Sequence, residues 1–274
     1  MKIGFLGMGN MALAIAEGWV KKGLVEGRDM CAYAPNQEKL AKNAARVGFI
    51  PMASAKAVAD ASDAVVIACK PYQIEKVLKD LGGALAGKQL WSIAAGWTLE
   101  KFYETWQKVG VSMTPGDANF VRVQCLMPNT PAMVGEGVFL FEDRNSLWDE
   151  ELAEMKKLFE GLGIVEVLPS ELMGIGGVIS GCGPAFVDMF MEAYADAAVK
   201  YGISRPTAYR LVAQTVLGSA KLMQVTGDHP GVLKDAVCSP NGTTICGVAA
   251  LEKAGLRSAC IESIDAIMAK KKNG

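Results

Sequence analysis

The sequence predicts an α/β protein in two parts: a doubly wound parallel sheet over residues 1–168 and an all-helical domain over residues 169–274. Two observations carry this prediction. Short apolar runs alternate with segments of helical periodicity throughout the first part, which is the sequence form of a parallel sheet with helices on both faces. After Pro169 no further strand signal occurs, and long helical segments follow one another to the end of the chain.

Apolar runs predict the strands of the first part, and amphipathic segments predict the helices between them. The uninterrupted runs at residues 64–69 and 89–94 are typical of central parallel strands, which are covered on both faces. The predicted strands are 3–6, 30–34, 48–52, 64–69, 89–94, 122–127, 138–141 and 164–168, with helices from about residue 11, at 37–47 and 53–61, from about residue 98, and at 149–161. Residues 112–119 are polar and predict an exposed loop.

The turn between the first strand and the first helix has the spacing of a dinucleotide-binding fingerprint. Gly7 makes the turn, Gly9 lets the backbone approach a pyrophosphate, and Ala12 allows the helix to pack closely on the strand. The unpaired N–H groups and the dipole at the start of the helix favour a phosphate there. This GxGxxA pattern indicates a Rossmann domain, and an ordinary glycine turn in a βα unit is the alternative.

Four loops follow predicted parallel strands, at residues 7–10, 34–36, 68–71 and 95–96. They are therefore expected along one edge of the sheet, where ligands bind in this fold. The predicted cofactor-binding residues at this edge are Leu6, Gly7, Met8, Gly9, Asn10, Met11, Ala34, Asn36, Ala68, Cys69, Lys70, Pro71, Ala95 and Gly96.

The end of the second strand indicates which dinucleotide binds. An NAD site usually has Asp or Glu there to hold the ribose 2′-hydroxyl, but this sequence has Ala34, Pro35 and Asn36. No acid repels a 2′-phosphate, and Asn36, Lys39 and Lys56 are candidates to bind one. The sequence therefore favours NADPH as the cofactor, with NADH as the alternative.

The loop after the sixth strand reads MPNTP at residues 127–131. Two prolines stiffen it at the end of a strand, where this fold keeps its chemistry. A catalytic loop and a structural turn fit these residues equally well.

The second part consists of helices whose apolar residues lie on more than one face. Helices are predicted at 183–201, 206–226, 230–237, 243–254 and 258–271, with good start signals at Ser204 and Pro206 and a good cap at Ser258. A helix that is apolar all round is buried on all sides, and so few helices cannot bury one another. The sequence therefore predicts a partner subunit, most economically in a two-fold homodimer.

A Pro-Asn-Gly turn leads into the helix predicted at 243–254. The first-turn N–H groups, with the hydroxyls of Ser239, Thr243 and Thr244 nearby, suit a small anion such as a carboxylate. Neutral donors and the helix dipole would bind it, because the turn contains no positive side chain. A Ser/Thr-capped helix after a turn is the plain structural alternative.

Charge and cysteine content argue against several classes of function. The net charge is −1 and the one basic run is at residues 270–272, so nucleic acid and anionic membranes are poor partners. No apolar stretch predicts a transmembrane helix. Seven scattered cysteines without CxxC spacing and the single histidine, His229, predict no metal site and a reducing cytoplasm. His229 is expected to cap or position the helix that begins at residue 230.

Several motifs occur in one order: GMGNMA at 7–12, Lys70-Pro71, Ala95-Gly96, MPNTP at 127–131, SGCGPAF at 180–186 and HPGVLKDAVCSPNGTT at 229–244. In this order they resemble the pyrroline-5-carboxylate reductase family over essentially the whole chain. The resemblance implies a Rossmann domain, a helical C-terminal domain and an intertwined homodimer, with a decamer as a further assembly. It also implies reduction of Δ1-pyrroline-5-carboxylate to L-proline, the last step of proline biosynthesis, by hydride transfer from NADPH or NADH.

By the same resemblance, Ser239 and the backbone N–H groups of Thr243 and Thr244 hold the substrate carboxylate. Asn241 and Gly242 belong to the same substrate-binding turn. Thr244 is the expected catalytic residue, because its hydroxyl bonds the ring nitrogen. In the family this turn faces the partner's nicotinamide or lies near the dimer boundary, so a monomer is expected to be inactive.

Four positions depart from the family's pattern. Cys182 and Cys238 stand where Ser or Thr is usual, and Asn241 replaces the first glycine of SPGG. Cys125 stands where Arg often occurs. An Asn that often helps to bind the adenosine phosphate is not found near residues 54–55, which leaves the cofactor preference open.

Three other functions compete with this one. A related imine reductase would share the architecture. A β-hydroxyacid dehydrogenase needs a lysine on the first long C-terminal helix, which offers only Lys200 at its far end. A non-catalytic NADP-binding protein is the third, and the intact SPNGTT segment argues against it.

Overall fold

The computed structural model describes residues 1–109 and 120–272, in which eight strands form one sheet. The strands are β1 (Ile3–Leu6), β2 (Met30–Tyr33), β3 (Ile50–Pro51), β4 (Ala64–Ile67), β5 (Gln89–Ser92), β6 (Arg122–Met127), β7 (Gly137–Glu142) and β8 (Gly163–Leu168). Their order is β3-β2-β1-β4-β5-β6-β7-β8. The first six are parallel, while β7 is antiparallel to β6 and parallel to β8. The order reverses between β1 and β4, at the switch point where doubly wound sheets bind ligands, so the predicted fold class is confirmed.

Helices connect the strands, and they are the regular structure of the described residues beyond β8. They are α1 (Asn10–Lys21), α2 (Gln37–Val47), α3 (Ala55–Asp60), α4 (Ile74–Leu81), α5 (Leu99–Val109), α6 (Asp149–Glu160), α7 (Met173–Lys200), α8 (Arg205–Thr226), α9 (Pro230–Ala236), α10 (Thr243–Lys253) and α11 (Leu256–Lys272). The loop predicted at residues 112–119 lies outside the described residues.

Aromatic side chains cover both faces of the sheet. On one face, Trp19 of α1 and Trp91 of β5 pack edge to face with Phe159 of α6. On the other face, Phe102 and Trp106 of α5 pack against each other with ring centroids 5.4 Å apart. All five are fully buried, and each buried phenylalanine contributes about 1.5–3 kcal/mol. The core therefore anchors α1 and α5, which are among the helices that begin at loops along the predicted binding edge.

The first helix of the second part begins at Met173, so the predicted start at residue 183 is wrong. Glycines and Pro184 lower helix propensity in this segment. In the structure the glycines instead allow α7 to pack closely on the sheet, since a Cβ on Gly177 would lie 2.1 Å from Cε of Met127. Tertiary packing overrides the local propensity here.

Other boundaries also differ from the prediction. Ser258 is not a cap, because α11 already begins at Leu256, immediately after Gly255 in the left-handed conformation with φ of +78°. The short helix α4 was not among the predicted elements. The strands β2 to β5 end one or two residues before the predicted positions, where their chains enter the loops of the binding edge.

The contacts of the chain divide it into two compact units, Met1–Gly181 and Cys182–Gly274. The division falls inside α7, after the part of this helix that packs on the sheet. Among the described residues of the second unit, the buried side chains are those of Ala195 and Ala208 alone. The second unit therefore has almost no hydrophobic core within a single chain.

Large apolar side chains of the second unit are exposed instead. Met189 is 68% exposed, Val225 72% and Leu217 54%. By length and composition, Ser170–Lys200 is the one segment of the described chain that could cross a membrane, with a mean hydropathy of 1.3. Exposed apolar surface of this extent marks an interaction site, in keeping with the partner subunit that the sequence predicts.

Candidate active site

The turn after β1 requires glycine at position 7, because of its backbone conformation and its backbone contacts. Gly7 has φ of +100°, and its N–H donates to the Tyr33 carbonyl at 2.8 Å. A Cβ at this position would lie 2.7 Å from the Ala68 carbonyl oxygen. Gly7 is thus required both by its conformation and by the close approach of the loop after β4.

Gly9 has a different reason to be glycine. It precedes α1 as its N-cap in an extended conformation, and a Cβ there would meet no atom within 4 Å. The first-turn N–H groups of Asn10 and Met11 have no partner inside the helix, and the first turn carries no acidic residue. This open, acid-free helix start is a cradle that a pyrophosphate fits.

The flanking residues of the turn serve the core. Met8 is buried and Met11 is partly buried against the core of one sheet face. Leu6, at the end of β1, is 2% exposed. Only backbone groups of this segment, apart from the Asn10 side chain, are therefore presented to a ligand.

A cavity of about 660 Å³ lies beside the turn. Of the predicted residues it is lined by Leu6, Gly7 and Cys69. Burial raises the pKa of the Cys69 thiol above its ordinary value, so this thiol lines the cavity in its neutral form. The cavity is also lined by residues that sequence reasoning missed, among them Tyr33, Pro35, Ser54, Tyr72 and Gln73.

Asn36, expected to bind a 2′-phosphate, uses its side-chain oxygen as a helix cap, which leaves its Nδ2 as the donor for a phosphate. Asn36 is the N-cap of α2, and its Oδ1 accepts from the Lys39 N–H at 2.9 Å. The Lys56 ammonium is paired with Asp60 at 2.6 Å. The Lys39 side chain is exposed and has no ion-pair partner in the described part of the chain, which leaves its charge free for an added phosphate, whereas Lys56 is the one of the three that lines the cavity.

The loops after β4 and β5 contain the remaining predicted cofactor-binding residues. The Lys70 N–H donates to Gln73 at 3.1 Å, which closes the turn that begins at Pro71. Ala95 and Gly96 are exposed, and Gly96 has φ of +75°. The predicted residues of these loops thus follow the carboxyl ends of β4 and β5, and among them Cys69 lines the cavity.

Asn129 of the MPNTP loop is buried and fully bonded. Its Oδ1 accepts from the Val138 N–H at 2.9 Å, and its Nδ2 donates to the Ser180 carbonyl at 3.0 Å. Pro184 has no N–H to bond the carbonyl four residues before it, which is that of Ser180. The Asn129 amide satisfies this carbonyl, so of the two interpretations of the loop the structural one holds for Asn129.

We expect Asn129→Ala to destabilise the protein by about 2 kcal/mol or more, because it leaves the partly buried Val138 N–H and the buried Ser180 carbonyl without partners. Urea denaturation followed by circular dichroism measures the change. Thr130→Ala, at the exposed neighbouring position, is the matched control and should stay within about 0.5 kcal/mol. Equal stability of the two variants would contradict the role of Asn129.

In the second unit, the SPNGTT turn precedes α10. Asn241 has φ of +57° and is the one non-glycine residue with positive φ in the described ranges. Asn tolerates this conformation better than other side chains, which explains how it can replace a glycine of the family's pattern. A Cβ on Gly242 would lie 2.4 Å from Oγ of Ser239, so Gly242 keeps the turn closed.

The start of α10 resembles that of α1. Gly242 is an extended N-cap without a capping side chain, and the first turn carries no acidic residue. The hydroxyls of Ser239, Thr243 and Thr244 are exposed and make no hydrogen bond to any described residue. Thr244 also lines a groove of about 530 Å³ together with Tyr194. This arrangement offers unpaired N–H groups and hydroxyls to a small anion.

His229 is an N-cap, as expected. Its Nδ1 accepts from the Gly231 N–H at 3.0 Å at the start of α9. No cluster of three His, Cys, Asp or Glu side chains that could hold a metal ion occurs in the described residues. The start of α10 offers neutral hydrogen-bonding groups and a helix dipole, whereas charged side chains such as Lys56 and Lys76 line the cavity beside the glycine turn.

Two family models match this chain. The one described as NADP oxidoreductase coenzyme F420-dependent matches residues 2–96. The one described as pyrroline-5-carboxylate reductase dimerisation matches residues 170–273. The first match covers the strands β1 to β5 with the glycine turn, and the second covers the C-terminal helices with the SPNGTT turn.

Relatives that match this chain over nearly its whole length are named pyrroline-5-carboxylate reductase. Pyrroline-5-carboxylate reductase of Treponema pallidum is 40% identical over 268 residues, which are 98% of this chain and 99% of that protein. The Escherichia coli enzyme of this name is 39% identical over 270 residues, 98% and 96% of the two chains. The solved Plasmodium falciparum pyrroline carboxylate reductase with NADP bound has a TM-score of 0.83 at 30% identity, covering 97% of this chain and 95% of that one. This chain belongs to the pyrroline-5-carboxylate reductase family.

Proposed function

We propose that this chain reduces Δ1-pyrroline-5-carboxylate to L-proline with NADPH. The observation that carries the proposal is the start of α10, where unpaired N–H groups and three free hydroxyls form an anion site without an acidic residue in the first turn. The test is an assay of the purified chain with NADPH and the substrate, following NADPH absorbance and the proline formed. NADPH-dependent formation of proline supports the proposal, and its absence contradicts it.

The cofactor is held at the carboxyl edge of the sheet. The N–H groups at the start of α1 would bind the pyrophosphate over Gly9, and the cavity lined by Tyr33, Pro35 and Ser54 would hold the adenosine half. Bound NADPH supplies the hydride. The remaining predicted residues of this edge, from Ala68 to Pro71 and at Ala95 and Gly96, shape the rest of the site.

The substrate is held at the start of α10. The N–H groups of Thr243 and Thr244 and the hydroxyl of Ser239 would bind its carboxylate, with Asn241 and Gly242 shaping the turn. The Thr244 hydroxyl would accept a hydrogen bond from the ring nitrogen and stabilise the developing amine. A protonated imine is already a strong electrophile, so these residues need only hold its imine carbon against the hydride-bearing carbon of the nicotinamide.

We propose the homodimer as the active form, a decamer as its further assembly, and the cytoplasm as its location. Two observations support the dimer: the helices of the second unit expose apolar side chains, and residues 170–273 match the family model described as pyrroline-5-carboxylate reductase dimerisation. The free state of all seven cysteines fits a reducing compartment. Light scattering of the purified chain measures the mass of the assembly and distinguishes a dimer from a decamer.

We also propose that the functional boundary lies at residues 168/169, so that residues 1–168 bind the cofactor and residues 169–274 bind substrate and dimerise. The match to the dimerisation family model begins at residue 170, which supports this boundary.

A broader imine reductase is the second candidate. The neutral site at α10 would also bind other cyclic imines that carry a carboxylate. A β-hydroxyacid dehydrogenase is disfavoured because α7 carries one lysine, Lys200, at its last position. A screen of cyclic imines and hydroxyacids separates these activities, and NADPH binding without turnover of any of them would indicate a non-catalytic protein.

We expect NADPH to bind more tightly than NADH, and Lys39→Glu to reduce this preference about 10-fold, because a charge-assisted bond to the 2′-phosphate is worth about 1.5–3 kcal/mol. Calorimetric titration with each dinucleotide measures the preference. Lys42→Glu is the matched control on the same helix, one turn further on, where Lys42 is paired with Glu38 at 2.6 Å. Tighter binding of NADH by the unsubstituted chain, or equal effects of both variants, would contradict the assignment.

A further inference from the structure

Trp97 stands immediately after the exposed loop that follows β5. Its side chain is 7% exposed, whereas Ala95 and Gly96 before it are exposed. Its ring packs on Phe102 of α5 with centroids 4.7 Å apart. An anchored tryptophan thus fixes one end of a loop that is otherwise open to solvent.

The indole of Trp97 reaches a second loop. Its Nε1 donates to the Pro71 carbonyl at 3.3 Å, which joins the loop after β5 to the loop after β4. The Lys101 ammonium lies 4.8 Å above the same ring and donates to the Gly96 carbonyl at 3.3 Å. These contacts connect both loops to one buried side chain.

The loop after β4 in turn lies against the glycine turn, since a Cβ on Gly7 would lie 2.7 Å from the Ala68 carbonyl oxygen. In a doubly wound sheet the adenosine ribose lies at the end of β2, and the dinucleotide extends across the switch point between β1 and β4. Its other half then passes β4 toward β5. The two loops that Trp97 joins are therefore those beside the nicotinamide half.

We infer that Trp97 is a positioning residue for the nicotinamide half of the cofactor, acting through the Pro71 carbonyl to hold the loops after β4 and β5 in one arrangement. This inference rests on the proposed function only in taking NADPH as the ligand. It assigns to Trp97 no contact with the reacting atoms.

The test is Trp97→Phe, which retains an aromatic ring for Phe102 but removes the N–H. We expect about 5-fold weaker binding of NADPH, the effect of one lost hydrogen bond, and unchanged binding of adenosine 2′,5′-bisphosphate, which carries only the adenosine half. Calorimetric titration measures both constants. A purely structural role would weaken both ligands together, or neither.

Trp106→Phe is the matched control. Trp106 is fully buried and packs on the same Phe102 ring with centroids 5.4 Å apart, and its Nε1 has no partner in the described chain. The inference is overturned if both variants bind NADPH alike, or if Trp97→Phe weakens the bisphosphate equally. If the unsubstituted chain binds no NADPH, the inference and the proposed function both fail. If it binds NADPH but forms no proline, the proposed function alone fails.

Discussion

Gly9→Asp raises the Kd for NADPH at least about 100-fold, which corresponds to about 2.7 kcal/mol. The aspartate would place a carboxylate in the open space before α1, where the pyrophosphate is proposed to bind, and would itself satisfy the first-turn N–H groups as an N-cap. The space around Gly9 is empty of protein atoms within 4 Å, and its φ of −79° suits any residue. The fold should therefore be unaffected or slightly stabilised while cofactor binding is lost.

Gly83→Asp is the matched control for this prediction. A Cβ on Gly83 also meets no atom within 4 Å, and its backbone is not left-handed, so the same substitution adds the same charge away from the glycine turn. Calorimetry gives the Kd for NADPH, and thermal unfolding verifies that both variants fold. Unchanged NADPH binding in Gly9→Asp would show that the pyrophosphate is held elsewhere.

The sheet could be predicted from the sequence because its signals are local. Apolar runs such as the one leading into Gly7 mark each strand, and fingerprint spacing marks the switch point. The start of α7 could not be predicted from the sequence. Its glycines discourage a helix in isolation, but in the structure they let α7 contact Met127, which is distant in sequence. Propensity is a weak prior when packing decides the conformation.

The candidate site also contains some features that the sequence predicts and others that it does not. Backbone sites at helix starts, as at Gly9 and Gly242, follow from short motifs. The bonding of Asn129 to Ser180 and the contact of Trp97 with Pro71 depend on partners distant in sequence, which no local pattern specifies. The capping by Asn36 is local, because an Asn before a helix is a preferred cap. The cap occupies only the side-chain oxygen of Asn36, so its role as a phosphate ligand through Nδ2 stays a prediction.

Thr244→Val lowers kcat about 100-fold and leaves the Kd for NADPH unchanged. Valine keeps the β-branched shape at the start of α10 but lacks the hydroxyl, and removing one hydrogen-bonding group that acts on developing charge typically costs about 100-fold or more. The side chain is exposed and makes no hydrogen bond to any described residue, so folding should not depend on it. Steady-state kinetics with the substrate, and calorimetry with NADPH, measure the two effects.

Two further variants separate the Thr244 hydroxyl from the rest of the helix start. Thr244→Ser keeps the hydroxyl and should retain most of kcat. Thr243→Val removes the neighbouring hydroxyl but keeps the backbone N–H that is proposed to bind the carboxylate, so kcat should change little. Equal losses in Thr243→Val and Thr244→Val would mean that the first turn of α10 acts through its conformation. Full activity of Thr244→Val would mean that the backbone N–H groups and the dipole suffice, because the iminium already carries the proton that the reaction needs.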